Sequence, residues 1–391
     1  MSNTLIDRNP DLTRLRNEGY DIEVREGFLL LKDVPHVSSK REVLRGTLVS
    51  KLNLAGDVTT TPDHGAFFAG ECPCDRDGAP LTKIITGSQR QELAPGVTVD
   101  HSFSAKPPEP YRDYHEKMTR HVIILSGPAR AISPGVTAQT YAPVAAAAED
   151  DSVFHYLDTG SSRAEIGLAQ KKLALGKIAI VGLGGTGSYV LDLVAKTPVR
   201  EIHLFDGDVL LQHNAFRAPG APSIETLQQK PLKVAYLRDI YARMRRGIVA
   251  HEKHVGADTA GELRDMAFVF LCIDGGPAKA AIIATLNEAN VPFVDTGMGV
   301  DLIDGALSGI LRVTTASREK RDHLRQRIPL TVTDADNDYA KNIQIADLNA
   351  LNAALAVIKW KKLFGFYADL EREHHCSFTT DGNVISNLEK L

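Results

Sequence analysis

One stretch limits the architecture more than any other. From Lys177 to Asp208 the chain reads Lys177-Ile178-Ala179-Ile180-Val181, then Gly182-Leu183-Gly184-Gly185-Thr186-Gly187-Ser188, then the helical run Tyr189 to Ala195, then Ile202-His203-Leu204-Phe205 and Asp206-Gly207-Asp208. That is strand, glycine-rich turn, helix, strand and acid. The first strand is continuously apolar, as a strand buried on both faces must be. Gly182, Gly184 and Gly187 satisfy the G-x-G-x-x-G spacing. Without Cβ atoms the backbone turns tightly and approaches phosphates closely, while helix N–H groups point at the anion. Asp206 ends the second strand at the distance suited to a ribose hydroxyl. A tight turn that binds nothing would need neither the strand context nor the acid.

The 391 residues suffice for two domains and a sizeable core. Hydrophobic and charged contents of 43% and 24% are those of an ordinary globular protein. A net charge of -4 gives no reason to expect nucleic-acid or anionic-membrane binding. The N-terminus lacks a basic-then-apolar signal pattern, and no uncharged apolar run is long enough to span a bilayer. Cys72, Cys74, Cys272 and Cys376 form neither a disulfide framework nor a paired C-x-x-C set. The expected compartment is reducing and cytoplasmic.

Residues 1–148 look different from the remainder. Strand-like runs Phe28 to Leu31, Thr47 to Leu52, Ala66 to Ala69 and His121 to Leu125 alternate with clusters such as Pro95-Gly96, Pro107-Pro108 and Pro134-Gly135. The reading is an N-terminal β-rich α+β domain. The stretch Pro143 to Ala148, leading to Glu149-Asp150-Asp151, marks the expected boundary. Within it, Cys72 and Cys74 flank Pro73, with His64 and His101 nearby in sequence. The alternatives are small buried cysteines beside a turn, a zinc site, or an exposed acyl-accepting thiol at Cys74.

Residues 149–391 alternate strand and helix. Lys230 to Arg243 is amphipathic, with Val234, Leu237, Ile240 and Tyr241 at helical spacing. Phe268 to Ile273 reads as a buried strand ending at Asp274-Gly275-Gly276-Pro277. Ala278 to Asn290 reads as helix, Pro292 to Asp295 as strand, and Gly305 to Thr314 as a returning strand. This implies an α/β, doubly wound, mostly parallel sheet with ligands at the carboxyl ends of its strands, so Asp206 and Asp274 share a crevice. Residues 315–342 break the pattern as a long polar, mixed-charge excursion. Leu348, Leu351, Leu355 and Ile358 form a helical stripe for core or dimer packing. The tail reads as a hairpin turning at Asp381-Gly382.

The set Gly182-Leu183-Gly184-Gly185-Thr186-Gly187-Ser188, Asp206, Asp208, Asn214, Arg217, Lys233 and Asp274 resembles the adenylation domain of ubiquitin-activating enzymes and their ThiF/MoeB relatives. The resemblance runs from Ser161 to Trp360 and is strongest from Lys177 to Asp274. It implies a Rossmann-like adenylation domain with a crossover loop near 315–342. The implied reaction is ATP- and magnesium-dependent adenylation of the C-terminal carboxylate of a ubiquitin-like or sulfur-carrier protein. By that resemblance Gly182, Gly184, Gly185, Thr186, Gly187, Asp206, Asp208, Asn214, Arg217 and Lys233 hold the nucleotide and Asp274 the metal. Arg163 corresponds to an arginine that reaches a neighbour's γ-phosphate across a homodimer. The N-terminal domain would dock the carrier or a conjugating enzyme.

The residue types suit this chemistry. Carboxylate attack on an α-phosphate brings two anions together, so cations must offset the repulsion and stabilise the leaving pyrophosphate. Lys233, Arg217 and a divalent ion on Asp274 suit that need. Asn214 can bond phosphate without adding charge, and Asp208 can orient the basic groups. The chain departs from zinc-bearing relatives, having no C-x-x-C pairs, and residues 315–342 contain no cysteine. Cys376, between His375 and Ser377 and next but one to His374, is the candidate nucleophile if those histidines lower its pKa. Ser377, or no covalent step on this chain, are the alternatives. Cys272 reads as packing. Two other functions remain: an NAD-dependent oxidoreductase, which would leave Arg217 and Lys233 unexplained, and a non-catalytic nucleotide-binding scaffold.

Overall fold

The computed structural model describes residues 2–56, 58–60, 63–146, 152–164, 166–330 and 343–391. Contacts divide the chain into two units: Met1–Asp151 with Tyr156–Arg163, and Ser152–His155 with Ala164–Leu391. Residues 147–151 of the expected boundary lie outside the described residues.

The first unit begins with α1 (Ser2–Arg8) and α2 (Pro10–Asn17). A sheet of β1 (Ile22–Arg25), β2 (Phe28–Val37), β3 (Val43–Lys51), β6 (Gly65–Ala69), β7 (Ile85–Ala94) and β8 (Val97–Ser104) follows. Its order is β1-β2-β3-β6-β8-β7, antiparallel throughout. β4 (Leu54–Ala55) and β5 (Val58–Thr59) pair separately. Helix α3 (Tyr114–Ile132) packs on the sheet, and α4 (Thr159–Arg163) closes the unit.

His121 to Leu125 lies within α3, not in a strand. The β-branched Val122-Ile123-Ile124 imitates a strand. The longer pattern decides for helix, because Tyr114, Met118, Val122, Leu125 and Ala129 recur at three- and four-residue spacing and are all buried. Asp113 caps the helix, accepting from Glu116 N at 2.8 Å. Asp11 is buried yet satisfied, accepting from Thr59 Oγ1 at 3.1 Å and Tyr114 N at 3.1 Å. Cys74 is buried and donates to the Cys72 carbonyl at 3.3 Å; burial pushes both thiols up. Among the described residues no three His, Cys, Asp or Glu side chains gather as metal ligands.

The second unit carries α5 (Gly167–Lys171), β9 (Lys177–Val181), α6 (Gly185–Val194), β10 (Glu201–Phe205), α7 (Gln212–Ala215), α8 (Ile224–Gln229), α9 (Lys233–Tyr241) and β11 (Ile248–His251). It continues with β12 (Phe268–Leu271), α10 (Pro277–Glu288), β13 (Phe293–Ile303), β14 (Ala306–Ala316), α11 (Leu324–Arg327), α12 (Ala346–Leu363), β15 (Glu373–Thr379) and β16 (Val384–Lys390). The sheet order is β11-β10-β9-β12-β13-β14-β15-β16. The first five strands are parallel and the last three pairings antiparallel. The architecture is the Rossmann-like, mostly parallel α/β sheet expected. The last two strands form the expected hairpin.

Alternation along each central strand sends side chains into two layers. Ile178, Ile180, Phe268 and Phe270 join α6, α9 and α12 on one face. Ala179, Val181, Val269 and Leu271 join α10 on the other. On α12 the buried face carries Leu348, Ala353, Ala356, Val357 and Trp360; Leu351 is half-buried, Leu355 is half-buried against the core, and Ile358 is exposed. The expected stripe is therefore split between core and surface. Residues 331–342 of the expected crossover loop lie outside the described residues; before them, Thr315 and Ala316 finish β14 and the short charged helix α11 follows. Among the described residues no helix is long and apolar enough to cross a membrane.

Phe268 is fully buried and packs among Phe270, Trp360 and Phe364, with ring centroids 5.0, 6.5 and 6.0 Å away. Trp360 is the only tryptophan, so its fluorescence follows the second unit. Phe268→Ala is expected to lower that unit's unfolding free energy by about 3–5 kcal/mol, read from urea titration of Trp360 emission. A loss below about 1 kcal/mol would contradict the packing described.

Candidate active site

The chain runs β9, β10, β11 toward one sheet edge, then crosses back to β12 on the other side of β9. The reversal places a crevice between the carboxyl ends of β9 and β12, where open α/β sheets hold ligands. The loops there are Gly182 to Gly187 and Cys272 to Pro277.

Sterics explain two of the glycines. Gly182 adopts φ +86°, and a Cβ on it would lie 2.5 Å from the Cys272 carbonyl oxygen. A Cβ on Gly187 would lie 1.9 Å from the Gly182 carbonyl oxygen. The turn thus packs backbone on backbone and aims the α6 N-terminus at the crevice. Ser188 tightens it, donating to the Gly184 carbonyl at 2.7 Å.

The crevice opens into a cleft of about 530 Å³, within the roughly 300–1,000 Å³ usual for small-molecule sites. Gly182, Gly184, Gly185, Thr186, Asp206, Asp208, Arg217, Lys233 and Asp274 all line it. Asp206 is buried; its Oδ2 accepts from Leu183 N at 2.7 Å and its Oδ1 from Asp208 N at 2.8 Å. Its first task is therefore to fasten the turn, each oxygen keeping a second lone pair. Lys233 is buried, with Nζ 2.7 Å from Asp208 Oδ2 and 3.8 Å from Asp206 Oδ1. The Lys233 hydrogen bond holds the Asp208 carboxyl below its usual range. Burial lowers the Arg217 pKa, and the nearby Asp274 and Asp208 charges oppose that shift. Asp274 is exposed and makes no hydrogen bond or ion pair with the described residues.

Three sequence candidates sit otherwise. Asn214 turns its Oδ1 to Leu211 N at 2.8 Å, closing α7, and lines a small pocket beside the cleft. Arg163 belongs to the first unit, where its guanidinium lies 6.0 Å from the Tyr141 ring centroid. Cys376 lies on β15 between β14 and β16 and is buried, and burial pushes its thiol up. His374 and His375 are also buried, which lowers their pKa values, His375 to about 4. Burial thus works against the positive charge that was expected to activate Cys376. Cys272 is half-buried, and its thiol is pushed up to about 12 by burial.

Several residues in the cleft wall or directly behind it escaped the sequence reading. Asp295 is fully buried, with Lys279 Nζ 2.6 Å and Arg312 Nη1 2.9 Å from its oxygens. His254 Nε2 stands 3.5 Å from Asp208 Oδ1. Asn349 Oδ1 accepts from Thr186 Oγ1 at 2.9 Å, and Asn352 Nδ2 donates to the Gly297 carbonyl at 3.1 Å. The available signals were an acid within the apolar strand pattern at Asp295 and an Asn-x-x-Asn pair on an apolar helix.

The ThiF family model matches residues 160–346. The chain carries a ThiF-family domain. A second model, described as a domain of unknown function (DUF6791), matches residues 10–159. Ubiquitin-like modifier-activating enzyme 5 from Drosophila simulans and from Drosophila melanogaster is 27% identical over 154 residues. That match covers 36% of this chain and 37% of each relative, so the chain spans little more than a third of their length. Among solved structures, Escherichia coli MccB with MccA-N7isoASN is 19% identical, with a TM-score of 0.46 over 58% of this chain and 67% of that one. MccB with ATP is 19% identical, with a TM-score of 0.44 over 59% and 67%.

Two outcomes follow for the ThiF domain. Gly187→Ala, forced against backbone, is expected to cost at least about 3 kcal/mol of stability. Gly184→Ala meets nothing within 4 Å and is expected to stay within about 1 kcal/mol of the parent; chemical denaturation compares them. Iodoacetamide at pH 7.5 is expected to leave Cys376 unlabelled in the folded protein and to label it after denaturation, as peptide mass spectrometry would show. Rapid native labelling would contradict the burial described.

Proposed function

We propose that this protein uses ATP to adenylate the C-terminal carboxylate of a ubiquitin-like or other carrier protein, releasing pyrophosphate. One observation carries the reading: Arg217, Lys233 and Asp274 converge with the glycine turn on a single cleft at the sheet's switch point. The similarity to ubiquitin-like modifier-activating enzyme 5 of Drosophila supports the same class of reaction.

The triphosphate lies against the α6 N-terminus, where N–H groups favour anions. A carboxylate oxygen of the carrier attacks the α-phosphorus. The bond from that phosphorus to the α,β-bridging oxygen breaks, and pyrophosphate leaves with the electron pair. No proton is consumed. Lys233 and Arg217 stabilise charge gathering on the phosphoryl oxygens. The donor set fits magnesium, since one accessible carboxylate plus phosphate oxygens is a usual cradle for it. Asp274 would hold the ion, which neutralises phosphate charge when bound. Asp208, held by Lys233, orients that ammonium. We assign Asp206 a ribose contact through its second lone pairs.

The neighbouring copy's Arg163 supplies a further cation in a homodimer, and the N-terminal unit docks the carrier or a conjugating protein. The buried thiol of Cys376 makes an acceptor other than Cys376 the better reading for any later acyl transfer. One observation favours the oxidoreductase alternative, the His254–Asp208 pair at 3.5 Å. Calorimetry with ATP and with NAD separates the two readings.

Pyrophosphate exchange into ATP, measured with candidate carrier proteins, tests the proposal. Lys233→Ala and Asp274→Asn are each expected to lower exchange by at least about 100-fold with an unchanged circular dichroism spectrum. Near-parental exchange in both variants would refute the assignment.

A further inference from the structure

Two buried acceptors at one end of the cleft have no donor. Asn352 is 1% exposed, and its Nδ2 donates to the Gly297 carbonyl at 3.1 Å, which fixes how the amide faces. Its Oδ1 meets no donor among the described residues, and neither does the buried Oε1 of Gln344. Both residues line the cleft with Gly297 and Met298. A buried acceptor left unpaired is costly, so this end is shaped for a ligand that brings hydrogen.

The ligand's chemistry narrows by elimination. Phosphate and carboxylate oxygens at neutral pH accept and do not donate, so neither reacting anion satisfies these atoms. Ribose and adenine do carry donors. Phe205, Asp206, Asp208, Lys233, His254 and Val255, however, line the end formed by β10 and β11, whereas Gly297 and Met298 lie on β13. The order β10-β9-β12-β13 puts three strand spacings, about 14 Å, between the ends. A nucleoside seated at Asp206 leaves the β13 end to the second reactant.

Resting on the adenylation reading, we propose that Asn352 Oδ1 and Gln344 Oε1 accept hydrogen bonds from backbone N–H groups of the chain bearing the reacting carboxylate. Asn352 is then a specificity-determining residue. It favours acyl groups with an amide beside the carboxyl end and rejects simple carboxylic acids, because these leave a buried acceptor unpaired. Gly297 suits the same end. Arg312 Nη2 would lie 2.4 Å from a Cβ there, so any side chain on Gly297 would displace the guanidinium that pairs with Asp295.

Two stable analogues of the acyl-adenylate test this on the full chain by calorimetry. One is 5′-O-(N-glycylglycyl-sulfamoyl)adenosine; the other replaces its internal amide N–H with an ester oxygen. The parent protein is expected to bind the amide at least about 10-fold more tightly. In Asn352→Ala that ratio is expected to fall to about 2-fold or less. Because each protein is compared with itself, the common adenosine contribution cancels. Equal affinities in the parent protein, with ATP still bound, overturn this proposal and leave the adenylation reading standing. An undiminished ratio in folded Asn352→Ala also overturns it. Failure of the parent to bind ATP or either analogue overturns both. If Asn352→Ala does not fold, the ratio in the parent protein decides alone.

Discussion

A buried carboxylate holds the site together. Asp206 accepts the N–H groups of Leu183 and Asp208 and lies 3.8 Å from the Lys233 ammonium. It therefore couples the turn after β9, the end of β10 and the first residue of α9. A buried negative charge is costly unless it is compensated, and three partners compensate this one. Backbone N–H donors and a cation fix the carboxylate, and the carboxylate fixes the glycine turn that aims α6 into the cleft. The geometry that makes the turn useful to an anion thus depends on an anion of its own.

A second charge cluster lies behind Lys279, which lines the cleft from α10. Lys279 and Arg312 share the fully buried Asp295. Toward β10, Lys233 and Arg217 face Asp206 and Asp208, so the charges there balance in number. Both clusters hold each acid against a cation, which is what makes charged groups tolerable at a site with little water.

Local patterns were legible in the amino-acid order. The run from Lys177 to Asp208 encodes its strand, turn and helix within a few dozen neighbours, so the central fold and the glycine turn could be read directly. Asp206 and Asp274 followed from their places at strand ends, and Arg217 and Lys233 from the family resemblance. What escaped was assembled from distant elements. Asp295 meets Lys279 and Arg312 across α10, β13 and β14, and Thr186 meets Asn349 across 163 positions. Nothing local signals such contacts. His121 to Leu125 misled because a short β-branched run outweighed a longer helical period. Adjacency in sequence suggested charge on the histidines beside Cys376, whereas their burial, which only the fold supplies, disfavours it.

The path of the chain has a consequence for cutting it. Residues 152–155 belong to the second unit, Tyr156–Arg163 return to the first, and Ala164 resumes the second. The short return is anchored, since Arg246 N donates to the Val153 carbonyl at 2.7 Å and Leu157 N to Val144 at 3.0 Å. No single scission therefore yields both halves intact. A fragment ending near 151 forfeits the segment that hydrogen-bonds Val144, and one beginning at 164 strips Arg246 of its carbonyl and Arg245 of the Phe154 ring above its guanidinium. The linker is in effect a stitch, and expressing either half alone calls for an overlapping boundary or a circularly permuted design.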